Sequence, residues 1–268
     1  MPESIGSPEE KAKKIFGERA SFYSTSTAHT DPQVLKRVVE MSSPQTDWIA
    51  LDVATGTGHT AFALAAHTSS VVGIDLTTEM LAEAKQLRAS QAVPNVVFCA
   101  SDVHHLPFVE GSFDLVTCRR AAHHFSRIAV ALQEMHRILR VGGRLVVDDR
   151  SVPEDDFVDQ CMNTLDRFHD HSHVRQYRPS EWVKMVETHG FVVDEVEPYT
   201  RHRPITSLTG GIPSGDADQI NQVLAQLNDT QRAALNLAEV SGELYINHWF
   251  VMISAKKGQR KDVRSNVV

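Results

Sequence analysis

The fold of this chain is decided by residues 48–61, which read Trp48-Ile49-Ala50-Leu51-Asp52-Val53-Ala54-Thr55-Gly56-Thr57-Gly58-His59-Thr60-Ala61. The first half is apolar enough for a buried parallel strand, and the second half is a loop of small residues that continues into an Ala-rich helix. Gly56 and Gly58 lack a Cβ, so the turn can take left-handed dihedral angles and a ligand can lie against the free N–H groups of the new helix. The segment therefore predicts a strand, a tight turn and a helix N-terminus that contacts a cofactor.

Strands and helices alternate on both sides of this segment. Apolar strands are predicted at 71–76, 96–100, 113–119, 144–149, 191–196 and 249–254. Most of them are separated by segments with apolar residues at helical spacing. Continuous apolar strands with helices between them are typical of an α/β fold with a parallel, doubly wound sheet covered on both faces. We expect a single domain over 1–258 and a disordered tail over 259–268.

Composition and charge exclude several classes of protein. No apolar run approaches the roughly 20 residues that span a membrane, and the polar N-terminus lacks the apolar core of a signal peptide. The net charge is −7 and the basic residues are scattered, which argues against a nucleic-acid partner. Cys99, Cys118 and Cys161 are far apart. Cys99 and Cys118 lie inside predicted apolar strands and are interpreted as small buried hydrophobic residues. We expect a cytoplasmic protein without a membrane or nucleic-acid partner.

Acidic residues follow the first three strands of the predicted sheet: Asp52, Asp75 and Asp102. In an open parallel sheet the ligand lies at this edge. The pyrophosphate of NAD would be repelled by Asp52, whereas S-adenosylmethionine has no phosphate and carries an ammonium and a sulfonium. The pattern therefore favours S-adenosylmethionine, with Asp75 on the ribose hydroxyls, Asp102 on the adenine amino group, and Leu76 and Met80 against the adenine faces.

Five segments occur together in one order and spacing: Leu51-Asp52-Val53-Ala54-Thr55-Gly56-Thr57-Gly58, Gly73-Ile74-Asp75-Leu76 with Met80-Leu81, Ser101-Asp102 with Leu106-Pro107-Phe108, Phe113-Asp114-Leu115-Val116, and Leu139-Arg140-Val141-Gly142-Gly143-Arg144-Leu145. They resemble the class I S-adenosylmethionine-dependent methyltransferases, in particular the group that includes the ubiquinone/menaquinone-type C-methyltransferases. Ala54 departs from the glycine that many members have there, although the quinone-type members are similar to this sequence at that position.

The resemblance implies a Rossmann-like, seven-stranded, mostly parallel sheet whose last strand is antiparallel, with helices on both faces and a helical cap. It also implies a helical N-terminal cover at 1–44, a cofactor-binding core at 45–150, and substrate-cap insertions at 151–180 and 201–246. The expected cofactor-binding residues are Tyr23, His29, Asp52, Ala54, Thr55, Gly56, Gly58, Asp75, Leu76, Met80, Ser101, Asp102, Val103 and Arg119.

Histidines supply the candidates for a catalytic base. His123 and His124 follow the fourth strand, which points them toward the methyl group, and His169 lies in the expected cap. A base helps if the acceptor is a phenol or a carbon acid, and none is required if the acceptor is already an anion. A purely hydrogen-bonding role for His123 and His124, to a loop carbonyl or the methionine part of the cofactor, stays open. His169, His171 and His173 are not predicted to bind a metal, because no supporting pattern of further ligands is visible.

We therefore expect an enzyme that transfers a methyl group from S-adenosylmethionine to carbon or oxygen of a small-molecule acceptor, as a monomer or homodimer. One alternative is a protein that binds S-adenosylmethionine without methyl transfer, either as a regulatory module or by using the sulfonium electrostatically. A remote alternative is an NAD-dependent oxidoreductase, which is disfavoured because no Tyr-x-x-x-Lys pair occurs.

Overall fold

Strand β1, Ile49–Val53, lies in the interior of the sheet and pairs in parallel with β2, Ser70–Asp75, on one side and with β4, Phe113–Arg119, on the other. The computed structural model describes residues 6–258, so the predicted tail at 259–268 lies outside the described residues. The other strands are β3 Val96–Ala100, β5 Leu139–Ser151, β6 Phe191–Pro204, β7 Ala238–Val240 and β8 Glu243–Lys257.

Within the described residues the sheet has eight strands in the order β3-β2-β1-β4-β5-β8-β6, and the short β7 pairs with β8. The first five strands are parallel to one another, and β8 runs antiparallel between β5 and β6. The predicted mostly parallel sheet with an antiparallel last strand is confirmed, with β7 as an addition.

Helices cover both faces of the sheet. Their bounds are α1 Pro8–Glu18, α2 Ala20–Thr25, α3 Thr27–Thr30, α4 Pro32–Ser42, α5 His59–Ala65, α6 Thr78–Ser90, α7 Ile128–Ile138, α8 Asp156–His169, α9 Pro179–Thr188, α10 Thr206–Thr209, α11 Ser214–Ala225 and α12 Asp229–Ala234, with a short 3₁₀ helix at Ala122–His124. One apolar cluster lies around Leu51 and Leu132, and another around Ala50 and Leu64. Because adjacent residues of β1 point to opposite faces, this strand is buried on both sides.

A third apolar cluster lies away from the sheet faces, among residues of the segments predicted to form the cap. Met162 and Leu165 of α8 pack there with Leu208 and Ile220, all of them fully or almost fully buried. The insertions therefore have a core of their own. Among residues 6–258, no helix combines the length and the apolarity needed to cross a bilayer.

Two sequence expectations about the strands are wrong in detail. The strand predicted at 191–196 continues to Pro204, because residues of β6 pair with β8 along that whole length. Segment 201–246 therefore begins inside β6 and ends inside β8. The strand predicted at 144–149 is also longer, because β5 spans Leu139–Ser151 and includes Gly142 and Gly143.

Cys99 is exposed, contrary to the expectation that it is buried, whereas Cys118 is buried as predicted. Cys161 is buried as well. The reason is the position of β3 at the edge of the sheet. Successive side chains of a strand alternate between faces, and Val97, on the same face as Cys99, is 54% exposed.

Ionic hydrogen bonds centred on the buried Asp159 attach the segment after α8 to that helix. Asp159 accepts from Arg175 at 3.0 Å and from Arg178 at 2.9 Å, and its Oδ1 accepts from Asn163 at 2.8 Å. The two arginines therefore connect the segment between α8 and α9 to α8 through Asp159.

Replacing Asp159 by alanine should lower the free energy of unfolding by about 1–3 kcal/mol, because it removes the acceptor of the buried Asn163 amide and of two partly exposed guanidinium groups. Urea unfolding followed by circular dichroism measures this loss. The matched control is Asp156→Ala, since that side chain is 86% exposed and its pair with Arg178 should contribute less than about 1 kcal/mol. Equal losses in the two variants would contradict the prediction.

Candidate functional site: two adjoining cavities at the carboxyl edge of the sheet

The loop after β1 takes the left-handed conformation at three positions. The backbone φ is 51° at Ala54, 54° at Gly56 and 90° at Gly58. A Cβ at Gly56 would meet no atom within 4 Å, whereas one at Gly58 would lie 2.9 Å from the Phe98 ring. Gly56 therefore leaves open space, and Gly58 permits close packing of the loop on aromatic side chains.

Asp52 is buried under this loop. Its carboxylate accepts from Thr55 Oγ1 at 2.6 Å and from Thr117 Oγ1 at 2.7 Å. Burial raises the pKa of Asp52 to about 6, although both hydroxyls oppose the shift. Its hydrogen bonds connect the loop to β4, which gives Asp52 a role in shaping the site.

Asp75, at the end of β2, connects two loops. Its Oδ2 accepts from the Gly56 N–H at 2.8 Å and its Oδ1 from the Thr77 N–H at 2.9 Å. Burial raises its pKa, and the backbone hydrogen bonds act in the opposite direction. Each carboxylate oxygen has further acceptor capacity, so the group can hold the loops and also receive hydroxyl donors.

Asp102 follows β3 and is partly exposed. It accepts from the backbone N–H of His104 at 2.8 Å and from its ring Nδ1 at 2.7 Å. Burial acts to raise the pKa of Asp102, but the hydrogen bonds from His104 outweigh it and the pKa is lowered. The carboxylate is therefore ionised at neutral pH. The sequence interpretation missed His104.

These residues surround a cleft of about 1040 Å³. Helix α1 also contributes to its wall through Glu9 and Phe16, and Glu9 accepts a hydrogen bond from Ser126 across the cleft. Gly58 does not line the cleft. The predicted cofactor-binding residues that do line it are Tyr23, His29, Asp52, Ala54, Thr55, Gly56, Asp75, Leu76, Met80, Ser101, Asp102, Val103 and Arg119.

Arg119 ends β4 and lines the same cleft. Its Nε donates to Thr60 Oγ1 at 2.8 Å and its Nη2 to the His29 carbonyl at 2.7 Å. Its Nη1 is buried and has no acceptor in the part of the chain that the structure describes. Burial lowers the pKa of the guanidinium. A buried donor of this kind is uncommon in folded proteins.

A second cavity of about 1300 Å³ adjoins the first. The two share five wall residues: Phe16, Tyr23, His29, Arg120 and His124. His123 and His169 line the second cavity, so all three predicted catalytic histidines meet there, and His124 lines both. His171 is exposed and pairs with Asp216 at 3.1 Å. Within 6–258, no group of three or more His, Cys, Asp or Glu side chains is arranged to hold a metal ion.

His123 is held by Asp149. Its backbone N–H lies 2.8 Å from Asp149 Oδ2 and its ring Nδ1 lies 2.6 Å from Asp149 Oδ1. We assign the proton to Nδ1, since an ionised carboxylate only accepts. Nε2 is then an acceptor, and it has no partner among the described residues. Burial lowers the pKa of His123 far below its usual value, helped by His124 and Arg150, so the ring is neutral at physiological pH.

His124 lies beside His123, with ring centroids 4.0 Å apart. Ser172 Oγ donates to Asp170 at 2.6 Å and lies 3.0 Å from His124 Nδ1. Because the serine proton is used by Asp170, His124 donates from Nδ1 and its Nε2 is an acceptor as well. His169 donates from Nδ1 to the Leu208 carbonyl at 2.7 Å.

Asp149 was missed by the sequence interpretation, although a signal for it was present. It lies on β5, the fifth parallel strand, whereas the residues predicted at this edge of the sheet follow only the first four strands. The rule that ligands bind at the carboxyl ends of parallel strands applies to β5 as well. Arg203 and His248, which also line the second cavity, offered no comparable signal. They lie on the extended ends of β6 and β8, and Arg201 of β6 pairs with His248.

Comparison with known proteins identifies the family. The family described as a methyltransferase domain matches residues 45–190. The uncharacterized methyltransferase YcgJ of Bacillus subtilis is 32% identical over 215 residues, covering 80% of this chain and 84% of YcgJ. Its crystal structure superposes with a TM-score of 0.79 at 30% identity, over 84% of this chain and 98% of that chain.

Two further proteins are similar. The BH2331 protein of Bacillus halodurans has a TM-score of 0.80 at 27% identity, over 84% of this chain and 99% of that one. A demethylmenaquinone methyltransferase of Beutenbergia cavernae is 43% identical over 103 residues, which are 38% of this chain and 41% of that protein. The resemblance carried by the five sequence segments is confirmed, and the match favours methyl transfer over the nicotinamide-dependent alternative. The chain belongs to the methyltransferase domain family and is an S-adenosylmethionine-dependent methyltransferase.

Proposed function

We propose that this enzyme transfers a methyl group from S-adenosylmethionine to a carbon or oxygen atom of a small-molecule acceptor. The observation that carries the proposal is the pair of adjoining cavities with His124 in the wall of both. The first cavity has the acidic and backbone groups expected for the cofactor, and the second is large enough for a small organic molecule. A methyl group at their junction would face the acceptor.

The walls of the first cavity fit S-adenosylmethionine part by part. Asp75 would accept from the ribose hydroxyls and Asp102 from the adenine amino group, while Leu76 and Met80 pack against the adenine. The buried Nη1 of Arg119 lacks an acceptor within residues 6–258 and would donate to the carboxylate of the methionine portion. A carboxylate there would remove an unsatisfied buried donor.

When bound, S-adenosylmethionine would supply an electrophilic methyl group on a sulfonium, with a neutral thioether as the leaving group. The protein's contribution is to position the acceptor, exclude water and remove a proton where the acceptor carries one. His123 would take up that proton, a role supported by Asp149, which fixes its Nδ1–H and leaves Nε2 available. His124 would position the acceptor between the cavities, and His169 would contact its far side.

Isothermal calorimetry with S-adenosylmethionine and S-adenosylhomocysteine tests the cofactor assignment. We expect both to bind, and we expect S-adenosylhomocysteine to accumulate when acceptors are supplied. Failure of both to bind would overturn the proposal. Binding without product from a broad panel of phenols, enols and carbon acids would favour the non-transferring alternative.

The rate should fall at acidic pH because of Asp149. Burial raises the pKa of its carboxyl to about 6, so below that pH it gains a proton and no longer stabilises His123 as the proton acceptor. We expect kcat at saturating cofactor to fall roughly tenfold per unit below pH ~6.

Asp52 has a pKa of about 6 as well, so protonation of Asp52 and protonation of Asp149 must be distinguished. The dissociation constant of S-adenosylhomocysteine, measured over the same pH range, reports the protonation of Asp52. Asp149→Asn should abolish the inflection in kcat and leave that binding profile unchanged. An inflection that persists in Asp149→Asn would contradict the assignment.

The cytoplasmic location and the monomeric or homodimeric state remain predictions. Size-exclusion chromatography with light scattering measures the oligomeric state directly.

A further inference from the structure

The second cavity is rich in charged side chains. The charged side chains that line it are Arg19, Arg120, Arg150, Arg203, Asp166 and Asp170. Aromatic rings of Phe16, Phe22 and Phe250 lie in the same wall. The cavity therefore offers apolar surface for the body of an organic molecule and guanidinium groups for a charged part of it.

Two of these arginines are neutralised within the protein. Arg120 Nε lies 2.9 Å from Asp148 Oδ2, and its guanidinium also stacks 3.8 Å from the Phe250 ring centre. Arg150 Nη2 lies 2.9 Å from Asp166 Oδ1, while its Nε is buried without an acceptor among the described residues. Both cations are therefore held in place by an internal carboxylate.

Arg203 differs from these two. Its half-buried side chain makes no hydrogen bond or ion pair to any residue between 6 and 258. Burial lowers the pKa of its guanidinium, and the positive charges of Arg120 and Arg150 lower it further. Removing a charged group from water costs free energy unless the group is paired, and this cost grows with burial. Arg203 is a cation on the cavity wall without a counter-ion.

Neighbouring histidines indicate the same positive environment. Burial lowers the pKa of His29 to about 3, with Arg119 and Arg120 as the next causes. Burial lowers the pKa of His248 far below its usual value, and the charges of Arg150 and Arg203 are the next largest causes. These rings are neutral at physiological pH and do not add charge. The neighbouring arginine charges, which add to the effect of burial on both rings, would attract an anion.

The two carboxylates in the wall are already engaged. Asp166 pairs with Arg150, and Asp170 accepts from both the backbone N–H and the hydroxyl of Ser172, at 2.8 Å and 2.6 Å. Neither of them contacts Arg203. An anion at Arg203 would therefore gain a counter-ion without displacing one.

We propose that the methyl acceptor is a small organic anion whose carboxylate or phosphate group pairs with Arg203, while its nucleophilic atom lies near His123 and His124. This inference rests on the proposed function and names the class of its acceptor. A guanidinium matches both carboxylate and phosphate oxygens by paired hydrogen bonds. The aromatic walls would hold the rest of the molecule.

The experiment is calorimetric titration of benzoate, phenyl phosphate and neutral benzamide into the protein saturated with S-adenosylhomocysteine. We expect at least one of the anions to bind at least about tenfold more tightly than benzamide. Binding of benzoate alone identifies a carboxylate site, binding of phenyl phosphate alone a phosphate site, and binding of both a general oxyanion site.

Arg203→Gln should weaken the bound anion about tenfold or more, and Arg203→Lys should lose less because the charge is kept. Arg167→Gln is the matched control, since Arg167 is an exposed arginine of α8. Unchanged anion affinity in Arg203→Gln, benzamide binding as tightly as the anions, or no binding of either anion would overturn the inference. Normal S-adenosylhomocysteine affinity in the same samples shows that the variants are folded and that the proposed function is not what has failed.

Discussion

Asp75→Asn is expected to weaken the binding of S-adenosylhomocysteine by about a hundredfold. The carboxylate accepts from the Gly56 and Thr77 N–H groups and, in the proposed function, from two ribose hydroxyls. Hydrogen bonds to a charged group contribute about 1.5–3 kcal/mol each, and an amide replaces one acceptor oxygen by a donor. Isothermal calorimetry measures the change directly.

The matched control for Asp75→Asn is Asp47→Asn. Asp47 is exposed and precedes β1, at the opposite end of that strand from the cofactor loop. The control should bind as tightly as the unaltered protein. A loss of less than about threefold for Asp75→Asn would exclude a direct role in ribose binding, since even one charged hydrogen bond contributes more.

His123→Gln should lower kcat by about 10²–10⁴ and change the affinity for S-adenosylhomocysteine little. The structural reason is the pairing of His123 Nδ1 with Asp149 at 2.6 Å, which leaves Nε2 as the proton acceptor on the wall of the second cavity. Glutamine has similar length but cannot take up the proton. Steady-state kinetics should place the loss in kcat and leave KM for the cofactor nearly unchanged.

His171→Gln is the control for His123→Gln, because that histidine also lies in the cap region but is 58% exposed. Its kcat should equal that of the unaltered enzyme. If His123→Gln keeps full kcat while binding the cofactor normally, the acceptor is already ionised and the histidine holds no proton during the reaction. The acidic fall in rate expected from Asp149 would then be absent as well.

The proposed cofactor cleft could be predicted from sequence because its signals are local. Strand, glycine turn and helix follow one another within 48–61, Asp75 is the last residue of β2, and Asp102 lies two residues after β3. Parallel strands bring their carboxyl ends to one edge, so residues far apart in the chain are assembled by one simple rule. Gly58 shows the limit of that rule, since it has the expected φ but packs on Phe62 and Phe98.

The acceptor half depends on contacts that no local pattern encodes. Arg203 and His248 reach the second cavity because β6 and β8 extend far beyond their predicted ends and pair along their whole length. His123 becomes a candidate base through Asp149, 26 residues away in the chain. Arg175 and Arg178 are neutralised by Asp159, a pairing across 16 and 19 residues of chain that no local pattern indicates.

The sequence by itself therefore determined the family, the α/β sheet and the acidic edge for the cofactor, because these follow from strand periodicity and from residues next to strand ends. Only the tertiary structure decided which basic residues are free and which are paired. That difference is electrostatic: an arginine is available for a ligand when no internal carboxylate lies within reach, and the distance between two side chains is a property of the folded chain.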